Sequence, residues 1–213
     1  MVDQATNSGR EVVALVRNPS KLGVGAGVEV VSGNVLNVDD VSETVADTDT
    51  VICCLGNPGD NPTDVLSRGT ERIVTAMERH GVDRLIVLTS MGLGESNRRV
   101  PWYVRIAVAT VLTELMADKA RQEKVVMRSG LDWTVVRPGG LTNGPRTGDY
   151  RSGTGADLTA GPISRANVAA FLLDQLEDGS YRYETPVITS DEPIDFGFLR
   201  EQAISAEKRL SGM

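Results

Sequence analysis

The sequence is poor in the residues that most often carry catalysis or hold metals. It has one histidine, His80, among 213 residues, which leaves almost no room for a Ser-His-Asp triad or a histidine-rich metal site. His80 precedes Gly81 at the end of a predicted helix, where a partial positive charge suits the helix dipole and glycine suits the C-cap. We therefore interpret His80 as a structural residue and expect no metal site.

Cysteine is equally scarce, with Cys53 and Cys54 adjacent in an apolar run. Successive residues of a strand point to opposite faces, so the two thiols should diverge rather than form a disulfide or share a metal. We expect both to be buried and unreactive. Because the sequence shows neither a disulfide framework nor a secretory leader, we predict a cytoplasmic location.

Basic charge and long apolar runs are also lacking. The 22 Lys and Arg residues face 29 Asp and Glu residues, a net charge of −7, which argues against binding nucleic acid or an anionic membrane directly. No apolar run reaches the ~20 residues that span a membrane. The least polar helical candidate, Val104 to Met116, is interrupted by polar residues. We interpret it as an amphipathic helix that packs on the sheet or forms a partner or homodimer surface.

What the sequence does contain is an alternation of short apolar segments and helical patterns. The predicted strands are Arg10–Arg17, Val28–Val31, Thr50–Leu55, Leu85–Leu88, Asp132–Arg137 and Pro186–Thr189. Continuous aliphatic strands of this kind are typical of a parallel sheet covered on both faces. The prediction is an α/β fold with a doubly wound parallel sheet in one domain over residues 1–213. Residues 139–162 are predicted to form a substrate-side loop and residues 195–211 a C-terminal helix.

The central predicted strand, Leu85–Leu88, ends in two hydroxyl residues, Thr89 and Ser90, followed by a glycine-rich loop. Ligands of open parallel sheets bind just beyond the carboxyl ends of the strands. Ser90 is therefore expected at a ligand site.

Six motifs follow one another in an informative order: Val13–Leu22, Gly33–Leu36, Val51–Gly56, Leu88–Met91, Ser129–Pro138 and Ile163–Ala169. Together they resemble the atypical short-chain dehydrogenase/reductases, in the NAD(P)H-binding NmrA-like and biliverdin reductase B (flavin reductase) branch. The resemblance covers roughly residues 2–190. It implies a Rossmann-type domain that binds a nicotinamide dinucleotide.

The resemblance also implies a role for individual residues in cofactor binding. Arg17 would hold the 2′-phosphate of NADP, with Lys21 as a second cation, so NADP(H) would be preferred over NAD(H); the alternative is a solvated charge at a strand end. The other implied cofactor residues are Asn34 and Val35 beside the adenine, Leu55 and Gly56 beside the adenosine ribose, Thr89, Lys119, and Pro138, Gly139 and Gly140 around the nicotinamide. Asn34 departs from the usual family aspartate and loses its charge.

The implied catalytic machinery is incomplete. Ser90 matches the serine that polarises the substrate, and Lys119 matches the helix lysine. The family tyrosine four residues earlier is replaced by Leu115, and Tyr103 lies too far upstream to substitute. Without a phenol, a conjugated acceptor such as a flavin or quinone is favoured over a simple alcohol or ketone. Gly139 stands where a biliverdin-reducing relative carries histidine, so that substrate is not carried over.

The family begins with a strand and a G-x-x-G-x-x-G turn, whereas residues 1–9 match the end of the helix that follows them, so the first βα unit is incomplete. Two alternatives remain open. Either the sheet closes with the Val12–Val16 strand pairing against Thr50–Leu55, or the sequence is a shortened version of a longer protein. The second alternative predicts an in-frame apolar strand and G-x-T-G-x-x-G upstream of the start codon; a stop codon without such a segment would contradict it.

Three functional hypotheses follow. The first is an NADP(H)-dependent oxidoreductase that transfers hydride to a conjugated small-molecule acceptor. The second is a non-catalytic NAD(P)H sensor or assembly factor that binds a protein partner. The third is a chain that, as given, binds no cofactor.

Overall fold

The computed structural model describes residues 1–23, 27–57, 61–195 and 197–198, with only the backbone of Lys21 and of residues 107–111. Most of the terminal helix predicted for residues 195–211 lies outside the described residues, so it stays a prediction. Parts of the predicted connector at residues 23–27 and of the loop at residues 56–62 also lie outside them.

The described elements alternate as predicted. The strands are β1 (Val12–Val16), β2 (Val28–Ser32), β3 (Thr50–Cys53), β4 (Arg84–Leu88), β5 (Asp132–Pro138), β6 (Gly140–Thr142), β7 (Arg151–Gly153), β8 (Pro162–Ser164) and β9 (Val187–Thr189). The α-helices are α1 (Val2–Asn7), α2 (Val38–Val45), α3 (Val65–His80), α4 (Trp102–Val111), α5 (Thr113–Arg128) and α6 (Arg165–Asp174). Short 3-10 helices span Pro19–Lys21, Gly94–Arg99 and Gly179–Tyr181.

The strands form a mainly parallel arrangement in which β4 lies between β3 and β5. One sheet has the order β3-β4-β5-β9-β7, in which only the β7–β9 pair is antiparallel. A second sheet pairs β1 with β2 in parallel, and a third pairs β6 with β8. These pairings confirm the predicted single-domain, mainly parallel α/β fold.

Helices cover both faces of the central sheet, and the residues of β4 show how. Leu85 and Val87 belong to a buried cluster with residues of α2, α3 and α5, whereas Ile86 belongs to one with α6. Alternate residues of a strand point to opposite faces, so an unbroken aliphatic strand supplies both cores. All three side chains are fully buried.

β1 and β3 do not pair. Among the described residues no backbone hydrogen bond joins them, and the β1–β2 pair remains a separate sheet. The alternative in which Val12–Val16 closes against Thr50–Leu55 is therefore wrong. All five residues of β1 are only half-buried, in contrast to the buried β4.

The sequence has a helical pattern from Val104 to Arg128, which the structure divides into α4 and α5 at Leu112. The position of α5 is set by Asp118, whose carboxylate accepts hydrogen bonds from the backbone N–H groups of Leu66 (2.8 Å) and Ser67 (3.3 Å). These N–H groups lie in the first turn of α3, where they have no partner within the helix. The buried carboxylate thus fixes α5 against the start of α3.

The segment 139–162 is more ordered than a loop, since it contains β6, β7 and the start of β8. Ser164 caps α6 by accepting a hydrogen bond from the N–H of Asn167 at 3.0 Å, and the helix ends at Asp174. Within the described part of the chain, no helix is both long and apolar enough to cross a membrane.

Candidate active site

A large cavity of about 1390 Å³ opens at the carboxyl ends of β3, β4 and β5. Its size exceeds the ~300–1,000 Å³ that is usual for a single small-molecule pocket. Eight of the predicted site residues line it: Leu55, Gly56, Thr89, Ser90, Lys119, Pro138, Gly139 and Gly140. Residues from four separate parts of the sequence therefore meet in one place.

Ser90 lies half-buried at the end of β4, on the wall of the cavity. Its hydroxyl donates to the carbonyl of Met91 at 3.0 Å. The backbone around it is held by hydrogen bonds from Thr89 N to Val136 O (2.8 Å) and from Met91 N to Pro138 O (2.9 Å). The serine hydroxyl is consequently positioned by a continuation of the β4–β5 ladder, and rotation about its side chain would turn its proton toward a ligand.

Lys119 reaches the same strand end from α5. Its ammonium donates to the carbonyl of Thr89 at 3.2 Å. Burial lowers the pKa of Lys119, and the neighbouring Cys53 thiol and Glu123 carboxylate only partly offset that effect. The cation lies beside Ser90 on the cavity wall, where it can bind hydroxyl or anionic groups of a ligand.

Glu123, one turn after Lys119, is engaged by other residues. Its carboxylate accepts hydrogen bonds from Arg137 Nε (2.9 Å), Arg137 Nη2 (2.8 Å) and Thr89 Oγ1 (2.8 Å). Arg137 also contacts the carboxylate of Glu95. Burial alone would lower the pKa of Arg137. The hydrogen bond and negative charge of Glu123, and after them those of Glu95, outweigh this effect and raise the pKa of Arg137. This network joins α5, β4 and β5 directly behind the cavity wall.

The turn Pro138–Gly140 forms a second wall, and both glycines are required by close contacts. A Cβ on Gly139 would lie 2.2 Å from the carbonyl oxygen of Gly161, and a Cβ on Gly140 would lie 2.4 Å from the ring of Phe198. Any larger residue would displace neighbouring groups. The backbone of this turn therefore forms the surface of the cavity.

The two thiols diverge, as predicted, but only one is buried. Cys53 is 3% exposed, and its thiol contacts Thr70 and Gln122. Cys54 is exposed and lines the cavity, so the expectation that both are buried is wrong for Cys54. The protein surrounding the cavity nevertheless desolvates its thiol and, together with Cys53, raises the pKa of Cys54 to about 12. The thiol is thus protonated and weakly nucleophilic near neutral pH.

Three of the described residues that were predicted to bind cofactor, Arg17, Asn34 and Val35, do not line the cavity. Arg17 is exposed just after β1 and donates to Asn61 Oδ1 at 2.6 Å. Asn61 in turn donates to Asn57, a residue of the cavity wall, at 3.5 Å. The exposed Asn34 accepts from Leu36 N at 3.0 Å, and Val35 is buried in the core. The side chain of Lys21 lies outside the described residues.

Several cavity residues had not been predicted as site residues, among them Trp102, Arg105 and Ile106 on α4, Met116 on α5, and Arg165 on α6. Nothing local distinguishes them, since their role depends on how α4 and α6 fold over the sheet. Arg137 could have been noticed earlier, because a charge inside the apolar run Val135-Val136-Arg137-Pro138 requires a buried partner.

The cavity fits one end of a nicotinamide dinucleotide better than the other. Lys119 and the Pro138–Gly140 turn offer a half-buried cation and accessible backbone for a ribose and a nicotinamide ring. Within the described ranges, Gly92 and Gly94 follow β4, but the helix that begins at Gly94 is a short 3-10 helix. None of the described α-helices begins directly on a glycine-rich turn after a strand, so these residues supply no pyrophosphate cradle of that kind. The same residues contain no group of three or more His, Cys, Asp or Glu that could hold a metal ion.

Comparison with known proteins resolves the family. The model of an NAD(P)H-binding family matches residues 1–179. The chain belongs to this NAD(P)H-binding family. The match confirms the expectation of an NAD(P)H-binding family, and the related folds agree with the expected Rossmann-type domain.

Two relatives illustrate the range of this family. An uncharacterised chloroplastic protein of Arabidopsis thaliana is 28% identical over 210 residues, which cover 91% of this chain and 73% of the relative. An uncharacterised sugar epimerase of Bacillus subtilis is 27% identical over 158 residues, which cover 72% of this chain and 69% of the relative.

Solved structures share the fold. The anaerobilin reductase ChuY of Escherichia coli O157:H7 superposes with a TM-score of 0.73 at 21% identity, over 91% of both chains. A short-chain dehydrogenase/reductase of Veillonella parvula in complex with NADP has a TM-score of 0.74 at 18% identity, over 89% of this chain and 88% of that one. These similarities establish the Rossmann-like architecture of the NAD(P)H-binding domain.

Proposed function

We propose that the protein is an NADP(H)-dependent oxidoreductase that reduces a conjugated small-molecule acceptor, such as a flavin or a quinone. The observation that carries the proposal is the convergence of Ser90, Lys119 and the Pro138–Gly140 turn on one apolar cavity. The dinucleotide, when bound, supplies or accepts hydride. The protein's part is to hold both partners, exclude water and polarise the acceptor.

The residues of the cavity wall divide these tasks. Lys119 would bind the ribose next to the nicotinamide, and the glycine backbone of Gly139 and Gly140 would let the ring approach closely. Ser90 would donate a hydrogen bond to an oxygen or nitrogen of the acceptor where negative charge develops. Lys119 donates to the carbonyl of Thr89, the hydroxyl of Thr89 donates to Glu123, and Glu123 is itself held by Arg137.

The preference for a conjugated acceptor is supported by the absence of a phenol. The described lining of the cavity contains no tyrosine. Leu115 stands in place of the family tyrosine, and the hydroxyl of Tyr103 donates to the carbonyl of Ile194. A flavin or quinone spreads the charge of the transferred hydride and takes its proton from water, so it needs no positioned acid.

The preference for NADP(H) is supported by Arg17, an exposed guanidinium just after β1 that is linked to the cavity wall through Asn61 and Asn57. Its planar donor array suits a phosphate. A cytoplasmic location is supported by the two free thiols, Cys53 and Cys54. The chloroplastic relative makes the chloroplast a second compartment to consider, since thiols stay reduced there as well.

The same missing phenol favours a second candidate, a non-catalytic NAD(P)H sensor that binds a protein partner. A titration separates the two. Quenching of Trp102, on the cavity wall, by NADPH and NADH measures binding, and flavin or quinone reduction measures turnover. Binding with turnover supports the reductase, binding without turnover supports the sensor, and absence of binding contradicts both.

A further inference from the structure

Lys119 lies on the cavity wall without a carboxylate partner. Within the described part of the chain its ammonium forms no ion pair, and its hydrogen bond goes to the carbonyl of Thr89 at 3.2 Å. An ammonium has three donors, so donors remain for a ligand of the cavity. Because charges that are shielded from water are usually paired, the surroundings of Lys119 must keep carboxylates away from it.

Two kinds of titratable group lie near this ammonium. Burial lowers the pKa of Lys119, whereas four groups of the described residues act to raise it: Cys53, Glu123, Cys54 and Asp118. Burial also raises the pKa of both thiols, that of Cys54 to about 12, so the thiols are uncharged near neutral pH. The two carboxylates, which lie on the same helix as Lys119, are therefore the anions that could pair with it.

Asp118 is held away from Lys119 by the start of α3. Its carboxylate accepts hydrogen bonds from the N–H groups of Leu66 and Ser67, and Arg121 pairs with it at 3.3 Å. Adjacent residues of a helix also do not face each other. Asp118 is consequently no partner for Lys119.

Glu123, by contrast, is well placed to pair with Lys119. The two residues lie four apart on α5, a spacing at which side chains of opposite charge meet. Both also reach Thr89: Lys119 donates to its carbonyl, and Glu123 accepts from its hydroxyl at 2.8 Å. Instead of pairing with Lys119, however, Glu123 has both carboxylate oxygens bound by Nε and Nη2 of Arg137, at 2.9 and 2.8 Å.

The burial of this pair decides what Glu123 would do without Arg137. The side chain of Arg137 is 3% exposed and that of Glu123 is 7% exposed, so the carboxylate has little access to water. Glu95, the other carboxylate that contacts Arg137, is 61% exposed and can be hydrated. A buried carboxylate that loses its cation must find another cation or take up a proton, and Lys119 is one helical turn away.

We infer that Arg137 is a positioning residue for Lys119. By binding Glu123, it keeps this carboxylate from pairing with Lys119 and leaves the ammonium available to an anionic or hydroxyl group of a ligand. Arg137 does not itself line the cavity and acts only through Glu123. The inference rests on the proposed function in that it takes Lys119 as a cofactor contact.

The ionisation of Lys119 tests the inference without cofactor or turnover. The sequence has four lysines, so protein labelled with ¹³C-lysine gives few side-chain Cε signals, and the signal missing in Lys119→Arg belongs to Lys119. Titration of this signal by NMR gives its pKa. In Arg137→Met we expect the pKa of Lys119 to be higher than in the wild type, because the released Glu123 stabilises the charged form.

A double-mutant cycle separates movement of Glu123 from simple loss of charge. Glu123→Gln should lower the pKa of Lys119 only slightly when Arg137 is present, and much more strongly in the Arg137→Met background. Arg137→Lys, which keeps a cation against Glu123, should leave the pKa of Lys119 near the wild-type value, and so should Glu95→Gln. Equal effects of Glu123→Gln in both backgrounds, or no rise on Arg137→Met, would overturn the inference.

Folding is checked separately by circular dichroism and urea denaturation, since Arg137→Met leaves a buried carboxylate unpaired. If that variant does not fold, Arg137→Gln replaces it, because its amide keeps a donor for Glu123 but carries no charge, and the same rise is expected. Glu123→Gln alone is also decisive. A large fall in the pKa of Lys119 in this variant would mean that Glu123 and Lys119 already pair in the wild type, which contradicts the inference.

Binding of NADPH then distinguishes this inference from the proposed function. Arg137→Met should weaken NADPH binding about tenfold, since a charged contact of Lys119 is lost, and adding Glu123→Gln should recover most of the affinity. The expected coupling in the pKa of Lys119, without NADPH binding by the wild type, would support the role of Arg137 and contradict the reductase. NADPH binding that depends on Lys119, with additive effects of Arg137→Met and Glu123→Gln on its pKa, would contradict the role of Arg137 and leave the reductase.

Discussion

The inner and outer walls of the cavity are built in opposite ways. At the inner wall, Thr89, Glu123 and Arg137 are buried and joined by short hydrogen bonds that connect a helix to two strands. At the outer wall, Trp102 and Arg105 are exposed on α4. A rigid inner wall can hold a reactive geometry, whereas an exposed outer wall can adapt to ligands of different shape.

The largest effect should come from breaking the inner network. Glu123→Ala leaves the buried Arg137 guanidinium without its main partner, and we expect a loss of about 3–5 kcal/mol in the free energy of unfolding. Glu95 also contacts Arg137, but its side chain is 61% exposed, so Glu95→Ala should cost only about 0–1 kcal/mol. Urea denaturation measures both, and similar losses would show that burial of Glu123 does not matter.

Replacing Lys119, the cation at the inner end of the cavity, should have a large effect on cofactor binding. Lys119→Met should lower the affinity for NADPH about tenfold or more, since a charge-assisted contact is lost. Because burial lowers the pKa of Lys119, the wild-type affinity should also fall as the pH rises toward about 10. The Lys119→Arg variant should keep its affinity for NADPH at this pH. If the wild type and Lys119→Arg lost affinity equally, the pH effect would belong to another group.

The lowered pKa of Lys119 also makes the stability of the protein depend on pH. The folded protein releases the Lys119 proton more readily than the unfolded chain, so the unfolded chain binds more protons between the folded pKa and about 10.5. Stability should therefore rise with pH across that interval in the wild type. Lys119→Met should lack this contribution in denaturation experiments at pH 7, 9 and 10.

A smaller and more selective effect is expected at Arg17. Arg17→Ala should lower the preference for NADPH over NADH about tenfold, because the 2′-phosphate would lose its guanidinium partner. Arg128→Ala, at the opposite end of the sheet, is the matched control. Titration of each variant with both nucleotides gives the ratio, and an unchanged ratio for Arg17→Ala would remove this residue from the cofactor site.

The smallest effect on stability is expected at the outer wall. Trp102→Ala should change the free energy of unfolding by about 0.5 kcal/mol or less, because the side chain is mostly exposed. Trp133→Ala should cost distinctly more, since this residue packs against the core. A large loss at Trp102 would show that the outer wall supports the fold and is not held open for a ligand.

Much of the fold could be predicted because it depends on local patterns. The apolar run Leu85–Leu88 indicated a doubly covered strand, and Ser164 and Gly81 indicated helix boundaries that the structure has. The break between α4 and α5 at Leu112 could not be predicted, because the helical pattern continues through it and only packing divides the helices. Likewise, the three short strands within residues 139–162 depend on partners elsewhere in the chain.

Site residues that lie at strand ends could be predicted from the sequence. Site residues that come together only when distant helices and strands pack could not. Ser90, Lys119 and Gly139 were predicted from strand ends and family motifs, and the structure places all three on the wall of one cavity. Glu123 lies four residues after Lys119, a spacing that suggests a pair on one helix. In the structure it instead binds Arg137, fourteen residues further along the chain. The position of Arg105 over the cavity depends on the packing of α4, which no local pattern specifies.

The separation of the β1–β2 pair from the β3–β4–β5 sheet has a consequence for local unfolding. No backbone hydrogen bonds tie the two sheets within the described residues, and β1 is only half-buried where β4 is fully packed. The pair can then open without disrupting the larger ladder, as an independent cooperative unit. Native-state amide exchange should reveal two protection levels, with the Val12–Val16 amides exchanging through small openings and the Leu85–Val87 amides only through global unfolding.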